Sequence, residues 1–409
     1  LCTGCGLCQE KCPAKVIDTA YEAGMGERKA ICRPFSQAVP NVPVLDTEHC
    51  IYFQRDGRCG ACAKLCPTGA VDYEQEDEML DVQVGTIIVA TGFEMWDPAQ
   101  LPQYSYGDSP NILTGLQFER LTSATGPTEG EILTSEGTVP ERVAIIHCVG
   151  SRDENAHVYC SRFCCMYSLK HAHQIRDKTG AEVYDFYMDM RTSSKAYEEF
   201  YQRVQEDGVT FVHGRGAEVT VLEDGKLRVK GEDLGLGSLV AADVDMVILA
   251  SAIEPPAATG VVANLFGLGR TAEGWFAEAH PKLRPVETST AGVFLAGSCQ
   301  GPRDIPDTVA HAGDAAQEAI QLLNKGQVTI SPIVAEVMED KCVGCGECIL
   351  ACPYTAVKFN GNDKAEVNAA LCHGCGTCVA ACPSGAMVEL HFTDEEIVAQ
   401  IDGLLEMVR

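Results

Sequence analysis

The chain has 409 residues, 46% of them apolar and 22% charged, the balance of a folded multidomain protein. No run of about 18 apolar residues occurs, which excludes a membrane-spanning helix, and a net charge of −27 excludes nucleic acid as partner. The 22 cysteines fall mostly in four tight runs ending in Cys-Pro, which excludes an extracellular disulfide scaffold and implies a reducing, cytoplasmic setting. No signal peptide is visible. Because Cys2 already belongs to a motif, the chain reads as the remainder of a longer one or as one part of a split one. The acidic surface suits docking on basic patches of other proteins; plain solvation of the surface is the alternative.

In chain order, the first run is CTGCGLCQEKCP, with Cys2, Cys5, Cys8 and Cys12. Its C-x2-C-x2-C-x3-C-P spacing is that of bacterial ferredoxins, in which three thiolates on a tight loop and a fourth from the companion run hold each [4Fe–4S] cluster. The second run departs from it: eight residues separate Cys50 from Cys59, followed by Cys62 and Cys66. The reading pairs Cys2, Cys5 and Cys8 with Cys66, and Cys50, Cys59 and Cys62 with Cys12, in a dicluster module over residues 1–75. Cys32 is left over and reads as a packed free thiol.

Residues 82–98, VQVGTIIVATGFEMWDP, predict a buried strand ending in Ala-Thr-Gly. ERVAIIHCVGS starts another strand. A nucleotide-binding domain would follow it with a glycine-rich turn. Here that turn reads CVGSRDENAHVYC, with Gly150 alone among bulky and charged residues, so pyridine nucleotide is not expected there. A helix is expected over 160–179, then a strand in AEVYDFYMDMR. VTFVHGRGAEVTVLEDGKLRVKG predicts a strand and a hairpin turning at Asp224-Gly225. VDMVILASAIEPP is a further strand, and GVFLAGSCQGPRDIPDTVAHA begins a strand, glycine turn and long helix.

The third and fourth runs repeat the ferredoxin spacing in full: Cys342, Cys345, Cys348 and Cys352, then Cys372, Cys375, Cys378 and Cys382. Cys342, Cys345 and Cys348 pair with Cys382, and Cys372, Cys375 and Cys378 with Cys352. Zinc is the alternative ligand, but zinc sites favour paired C-x2-C units across a longer spacer. The expected organisation is an α/β core over 76–330, including a modified nucleotide domain at 142–250, then a second dicluster module at 331–395 and a C-terminal helix at 396–409.

The order of strands and turns between the modules resembles flavoproteins of the thioredoxin-reductase kind. The resemblance implies an α/β, three-layer FAD/NAD-type core carrying the two dicluster ferredoxin modules. It also implies FAD contacts at Thr91 and Gly92, and at Gly297, Ser298, Asp304, Ile305 and Val309. An Ala-Thr-Gly strand end taken singly is equally a buried strand followed by a small-residue turn. The G-x-G-x-x-G fingerprint that such enzymes use for pyrophosphate does not precede residue 82, so a further segment or another chain is expected to complete the flavin site. Cys299, in that loop, reads as a small packing residue.

CVGSRDE at 148–154, YCSRFCCMYSLKHA at 159–172 and GSCQGPRDIPDTVAHA at 297–312 together resemble the flavin-containing HdrA component of heterodisulfide reductase and its relatives. That resemblance implies a fifth [4Fe–4S] cluster on Cys148, Cys160, Cys164 and Cys165. Cys160 and Cys164 are expected on one helical face after a distorted first turn; buried structural cysteine is the alternative. The family implies a cytoplasmic electron-transfer subunit that bifurcates electrons between a donor, ferredoxin and a second acceptor. Its implied partners are other heterodisulfide-reductase-like subunits, hydrogenase or formate dehydrogenase, and ferredoxin, in a dimer of larger complexes. The other readings are a non-bifurcating conduit for a quinone-linked or ring-reducing complex, and a flavin-free polyferredoxin scaffold.

Overall fold

The computed structural model describes residues 1–327 and 332–407. The expected module boundary at 330/331 and residues 408–409 of the expected C-terminal helix lie outside the described residues. The chain divides into two compact units, Leu1–Asp81 with Met95–Ala252, and Val82–Glu94 with Ile253–Arg409.

The first unit is built on β1 (Ile112–Thr114), α1 (Gly115–Thr122), β2 (Arg142–Val149), α2 (Cys164–Thr179), β3 (Glu182–Tyr187), α3 (Tyr197–Glu206) and β4 (Thr210–His213). An antiparallel sheet of β5 (Gly216–Val221), β6 (Leu227–Asp233) and β7 (Ser238–Val244) follows, and then β8 (Met246–Ser251). β5 and β6 are the expected hairpin; β7 was not foreseen. The main sheet runs in the order β4-β3-β2-β8-β1 and is wholly parallel. Past Arg142, every residue of β2 is buried, as a central parallel strand covered on both faces must be. Ala144, Ile146, Phe186 and Val247 lie on one side of the sheet; Val143, Ile145, Leu169 and Ile248 pack on the other. Strand order reverses at β2, between β3 and β8, so a crevice opens beyond the carboxyl end of β2.

Local chemistry fixes the helix ends. Thr114 and Gln117 form a reciprocal capping box at the start of α1, and Gly180, left-handed at φ 70°, ends α2. α2 begins at Cys164, which corrects the helix expected from residue 160. Arg162 stands at φ +65°, a conformation a helix cannot include, so Cys160 lies in the preceding loop and shares no helical face with Cys164.

The N-terminal ferredoxin-like module belongs to this unit. It holds two short antiparallel pairs, Lys15–Ile17 with Glu27–Lys29 and Ile31–Cys32 with Val44–Leu45. Its loop at 21–25 docks on α1. Arg120 reaches both carboxylate oxygens of Glu22 at 3.0 and 3.1 Å and lies 4.2 Å over the Tyr21 ring. Gln117 donates to the Ala23 carbonyl, and Met25 packs beside Phe118 and Leu121. Cys32 is buried in its short strand, with Arg28 near its sulfur.

In the second unit Ile87–Val89 pairs in parallel with Val293–Leu295. Two short strands, Ile87–Val89 and Glu94–Met95, replace the buried run expected over 82–98: Val82 and Val84 are exposed and Ile88 is only part covered. Apolar residues recur through 82–89, but only the last three meet a partner strand. α4 (Ile305–Lys325) follows the glycine turn at 297–301 and ends at left-handed Gly326. Ala335–Val337 pairs with Met387–Glu389, and Val357–Phe359 with Ala365–Val367, in the second ferredoxin-like module; α5 (Asp394–Met407) closes the chain. No helix among the described residues is long and apolar enough to cross a membrane.

Arg120→Ala leaves the nearly buried Glu22 carboxylate without its partner. The expected result is a loss of about 2 kcal/mol in urea unfolding and faster protease cleavage within residues 72–86.

Candidate metal centres and flavin half-site

The structure gathers the ferredoxin-type cysteines around hollows. Cys2, Cys5, Cys8 and Cys66 border one cavity; Cys12, Cys50, Cys59 and Cys62 border a second. Cys352, Cys372, Cys375 and Cys378 border a third. Cys348 has Cys342, Cys345 and Cys382 as electrostatic neighbours. Cys50 reaches its place because the eight-residue insertion folds back: Ile51–Gln54 makes one helical turn, and Asp56 and Gly57 reverse the chain in left-handed conformations. No three His, Cys, Asp or Glu side chains among the described residues converge as a mononuclear site would. A cubane is a body with iron at alternate corners, so its thiolates ring a hollow.

The surroundings of the sulfurs fit that occupant. The fourth cysteine of a run accepts a backbone N–H from four residues on: Ala70 to Cys66, Ala356 to Cys352 and Ala386 to Cys382, each at 3.3 Å. The Ala335 N–H reaches Cys372 at the same distance. Donors of this kind favour thiolate. Bonding by the Thr68 hydroxyl and the Ala70 amide brings Cys66 down to about 7. Burial acts the other way on Cys378, which rises to about 11 with the sulfurs of Cys372, Cys352 and Cys375 adding to the effect. Crowded thiolates need a cation to ionise together, and iron supplies it. Sequence reasoning missed Tyr73. Its hydroxyl lies 2.8 Å from Cys62 Sγ, and its ring stacks on Tyr52 at 3.8 Å; only its place shortly after the Cys66-Pro67 pair hints at this role.

Of the other four cysteines, Cys148, Cys164 and Cys165 meet at the switch point of the parallel sheet, and Cys160 stands in the loop before α2, where it accepts the Arg162 N–H at 3.2 Å. Cys148, next to last in β2, stands at φ +59°, and Gly150, Arg152 and Arg162 are also left-handed. Strain of this kind in non-glycine residues gathers where the surroundings hold a functional loop. A Cβ on Gly150 would stand 2.4 Å from the Trp96 ring, so the turn needs glycine for space as well as for φ. Cys148, Cys164 and Cys165 are buried and hydrogen-bonded in sequence through Cys164, and Arg152 lies beside both Cys148 and Cys160. Hydrogen bonding from Cys164 lowers Cys148 to about 7, and Cys164 together with His147 lowers Cys165 to about 4. His147 Nε2 in turn lies 2.9 Å from Asp185 Oδ1, both fully buried. Burial opposes a charged imidazole, but Asp185 and Cys165 hold His147 well above its usual value. Neither His147 nor Asp185 was singled out from sequence, because they stand on adjacent strands with 37 residues between them.

The flavin candidates cluster within the second unit. Thr91-Gly92 and Gly297-Ser298 leave the carboxyl ends of two neighbouring parallel strands. Gly92 is left-handed with open space where a Cβ would be, a place where a flat or extended ligand can approach the backbone. Asp304 caps α4 by accepting from the Asp307 N–H at 2.9 Å. Ile305 and Val309 stand one turn apart on its exposed side. Cys299 is buried and donates to the carbonyls of Val89 and Ala296, the bonding of a packed thiol. The buried His311 was missed; its Nδ1 accepts from the Gly297 N–H and fixes the turn.

The class follows from these features: an iron–sulfur protein with two dicluster modules on an α/β core. Family models for the 4Fe-4S dicluster domain match residues 1–70 and 335–390. Over nearly its whole length the chain is similar to HdrA components of heterodisulfide reductases. It is 48% identical to the HdrA component of the H(2):CoB-CoM heterodisulfide,ferredoxin reductase of Methanothermobacter marburgensis, over 99% of this chain and 61% of that protein. It is 45% identical to the iron-sulfur HdrA component of the CoB--CoM heterodisulfide reductase of Methanocaldococcus jannaschii, over 99% and 62%. It therefore spans about three fifths of the length of these curated relatives. Among solved structures, thioredoxin reductases of T. acidophilum and Lactococcus lactis align at 15% and 17% identity, over 59% of this chain and 66% of theirs. Both have a TM-score of 0.38, too low to carry weight beside the sheet order itself.

Gly150→Ala must both strain the backbone and displace Trp96. A loss of about 3 kcal/mol is expected in denaturant unfolding, whereas Gly225→Ala, with open space at its turn, costs less than half of that.

Proposed function

We propose that the chain is an oxidoreductase subunit that carries electrons through five [4Fe–4S] clusters and FAD within a heterodisulfide-reductase-like complex, and that the complex bifurcates electrons. The observation that carries this reading is the cluster of Cys148, Cys164 and Cys165 at the switch point of the parallel sheet, with Cys160 in the adjoining loop beside Arg152. A pyridine nucleotide would lie there in a nucleotide domain, and thiols occupy the place of the glycine turn.

The ligand groups are Cys2, Cys5, Cys8 with Cys66; Cys50, Cys59, Cys62 with Cys12; Cys342, Cys345, Cys348 with Cys382; Cys372, Cys375, Cys378 with Cys352; and Cys148, Cys160, Cys164 with Cys165. Thr91, Gly92, Gly297, Ser298, Asp304, Ile305 and Val309 form part of the FAD site, which a further segment or chain completes. When bound, FAD supplies two-electron chemistry and each cluster one-electron transfer. The protein's part is to hold those groups with fixed donors. The Ala70, Ala356 and Ala386 amides and the Tyr73 hydroxyl steady sulfurs, and His311 fixes the Gly297 turn. The relatives' names mention H2, CoB-CoM heterodisulfide and ferredoxin; one, from Methanococcus maripaludis, also mentions formate. They support ferredoxin and a heterodisulfide as acceptors, and hydrogenase or formate dehydrogenase as the electron-supplying partner. A cytoplasmic setting fits the free thiols.

Anaerobically purified protein is expected to hold about 20 iron and 20 sulfide per chain, four for each cluster. Cys160→Ser and Cys164→Ser each lower the count by about four; a wild-type count near 16 removes the fifth cluster. In the purified complex, ferredoxin reduction is expected only while the second acceptor is being reduced. Steady ferredoxin reduction without that acceptor contradicts bifurcation and leaves a simple conduit.

A further inference from the structure

The loop between Cys148 and Cys160 carries one permanent positive charge among sulfurs that the cluster itself does not account for. Arg152 stands at φ +53°, its backbone N–H bonded to the Tyr159 carbonyl at 3.0 Å, beside Cys160. Its Nη2 donates to Asp189 Oδ2 at 2.6 Å, while its buried Nη1 has no hydrogen-bond partner among the described residues. Asp189 is tied to the same site from the other side, since the Cys165 thiol points at its carbonyl at 3.7 Å. The two ends of the pair differ in exposure: the Arg152 side chain is 24% exposed and Asp189 60%. Water screens the carboxylate more than the guanidinium, so the pair presents net positive charge toward the cysteines. The neighbouring Arg215 does not add to it, since Asp153 neutralises it at 2.5 Å.

We propose that Arg152 is a positioning residue of the four-cysteine centre: clamped by Asp189, its guanidinium faces Cys148 and Cys160 and makes a cluster bound there easier to reduce. This rests on the cluster reading above. Electrostatic contact of Arg152 with both sulfurs, and the upward shift of its own ionisation with burial opposing, agree with the placement. The step it favours is a one-electron reduction of the cluster from the 2+ to the 1+ state. The electron comes from a low-potential one-electron carrier, and no bond or proton changes hands. Positive charge nearby stabilises the more negative reduced state and raises the potential. Guanidinium holds its charge across the working pH range, so the effect does not titrate.

The test is a dithionite titration of the anaerobic holoprotein followed by electron paramagnetic resonance, with the relevant signal defined as the one lost in Cys164→Ser. Arg152→Gln is expected to lower the reduced-to-oxidised ratio at fixed potential about tenfold, a shift of about 59 mV to more negative values. Arg152→Lys is expected to restore at least half of it, and Asp189→Asn to leave the potential equal or higher. An unchanged midpoint in Arg152→Gln at full iron content overturns the proposal. So does loss of four irons in both Arg152→Gln and Arg152→Lys, which makes the residue a structural clamp alone. If Cys164→Ser removes neither iron nor signal, the cluster reading fails instead, and that outcome is distinct from an unchanged midpoint.

Discussion

A sulfur that carries negative charge away from water must be given hydrogen-bond donors or a cation. Much of the chain is arranged around that requirement. In the two ferredoxin-like modules the donor is backbone, delivered by the turn after three of the four Cys-Pro pairs, so that Cys66, Cys352 and Cys382 receive an amide at one common distance. Proline suits that turn because it supplies no N–H of its own and fixes φ. At the switch point of the parallel sheet the supply is different: His147 backed by Asp185, and Arg152 held by Asp189, approach from side chains. That difference fits a centre with its own role beside the repeated clusters.

The same requirement explains the strained loop. A glycine-rich turn exposes backbone N–H groups to a phosphate. Here Cys148, Arg152 and Arg162 take left-handed conformations that non-glycine residues ordinarily avoid. The packing that holds them is visible: Trp96 against Gly150, Ser151 bonded to Ser161, and Asp153 paired with Arg215. The N-terminal module is fixed to the same unit through Arg120 on α1. α1 also joins α2 through Glu119, which is drawn down to about 2 by the hydrogen bond from His171 and by Lys170. One helix thus links the module to the helix that carries Cys164 and Cys165.

Spacing made the ferredoxin-type groupings legible, because C-x2-C-x2-C-x3-C-P is a local pattern and its geometry is local too. The sheet was legible from apolar runs such as VAIIH, the hairpin from Asp224-Gly225. Two readings failed for physical reasons. Periodicity carried the helix back to Cys160 because SRF is compatible with helix, and nothing in the residue types signals that Arg162 will turn left-handed. The run at 82–98 is rich in strand-forming residues, but strand length depends on a neighbour, and over 82–90 only Ile87–Val89 has one. The donors that matter most, Tyr73, His147 with Asp185, and Arg152 with Asp189, were not legible. Each depends on a contact between residues far apart in sequence or on the course of an irregular loop.

Diffraction recorded at the iron absorption edge tests the central claim most directly. Anomalous density for a four-iron cluster among Cys148, Cys160, Cys164 and Cys165, in addition to two in each dicluster module, is the predicted result. Iron density confined to the two modules, with Cys148, Cys164 and Cys165 remaining as hydrogen-bonded thiols, would contradict it.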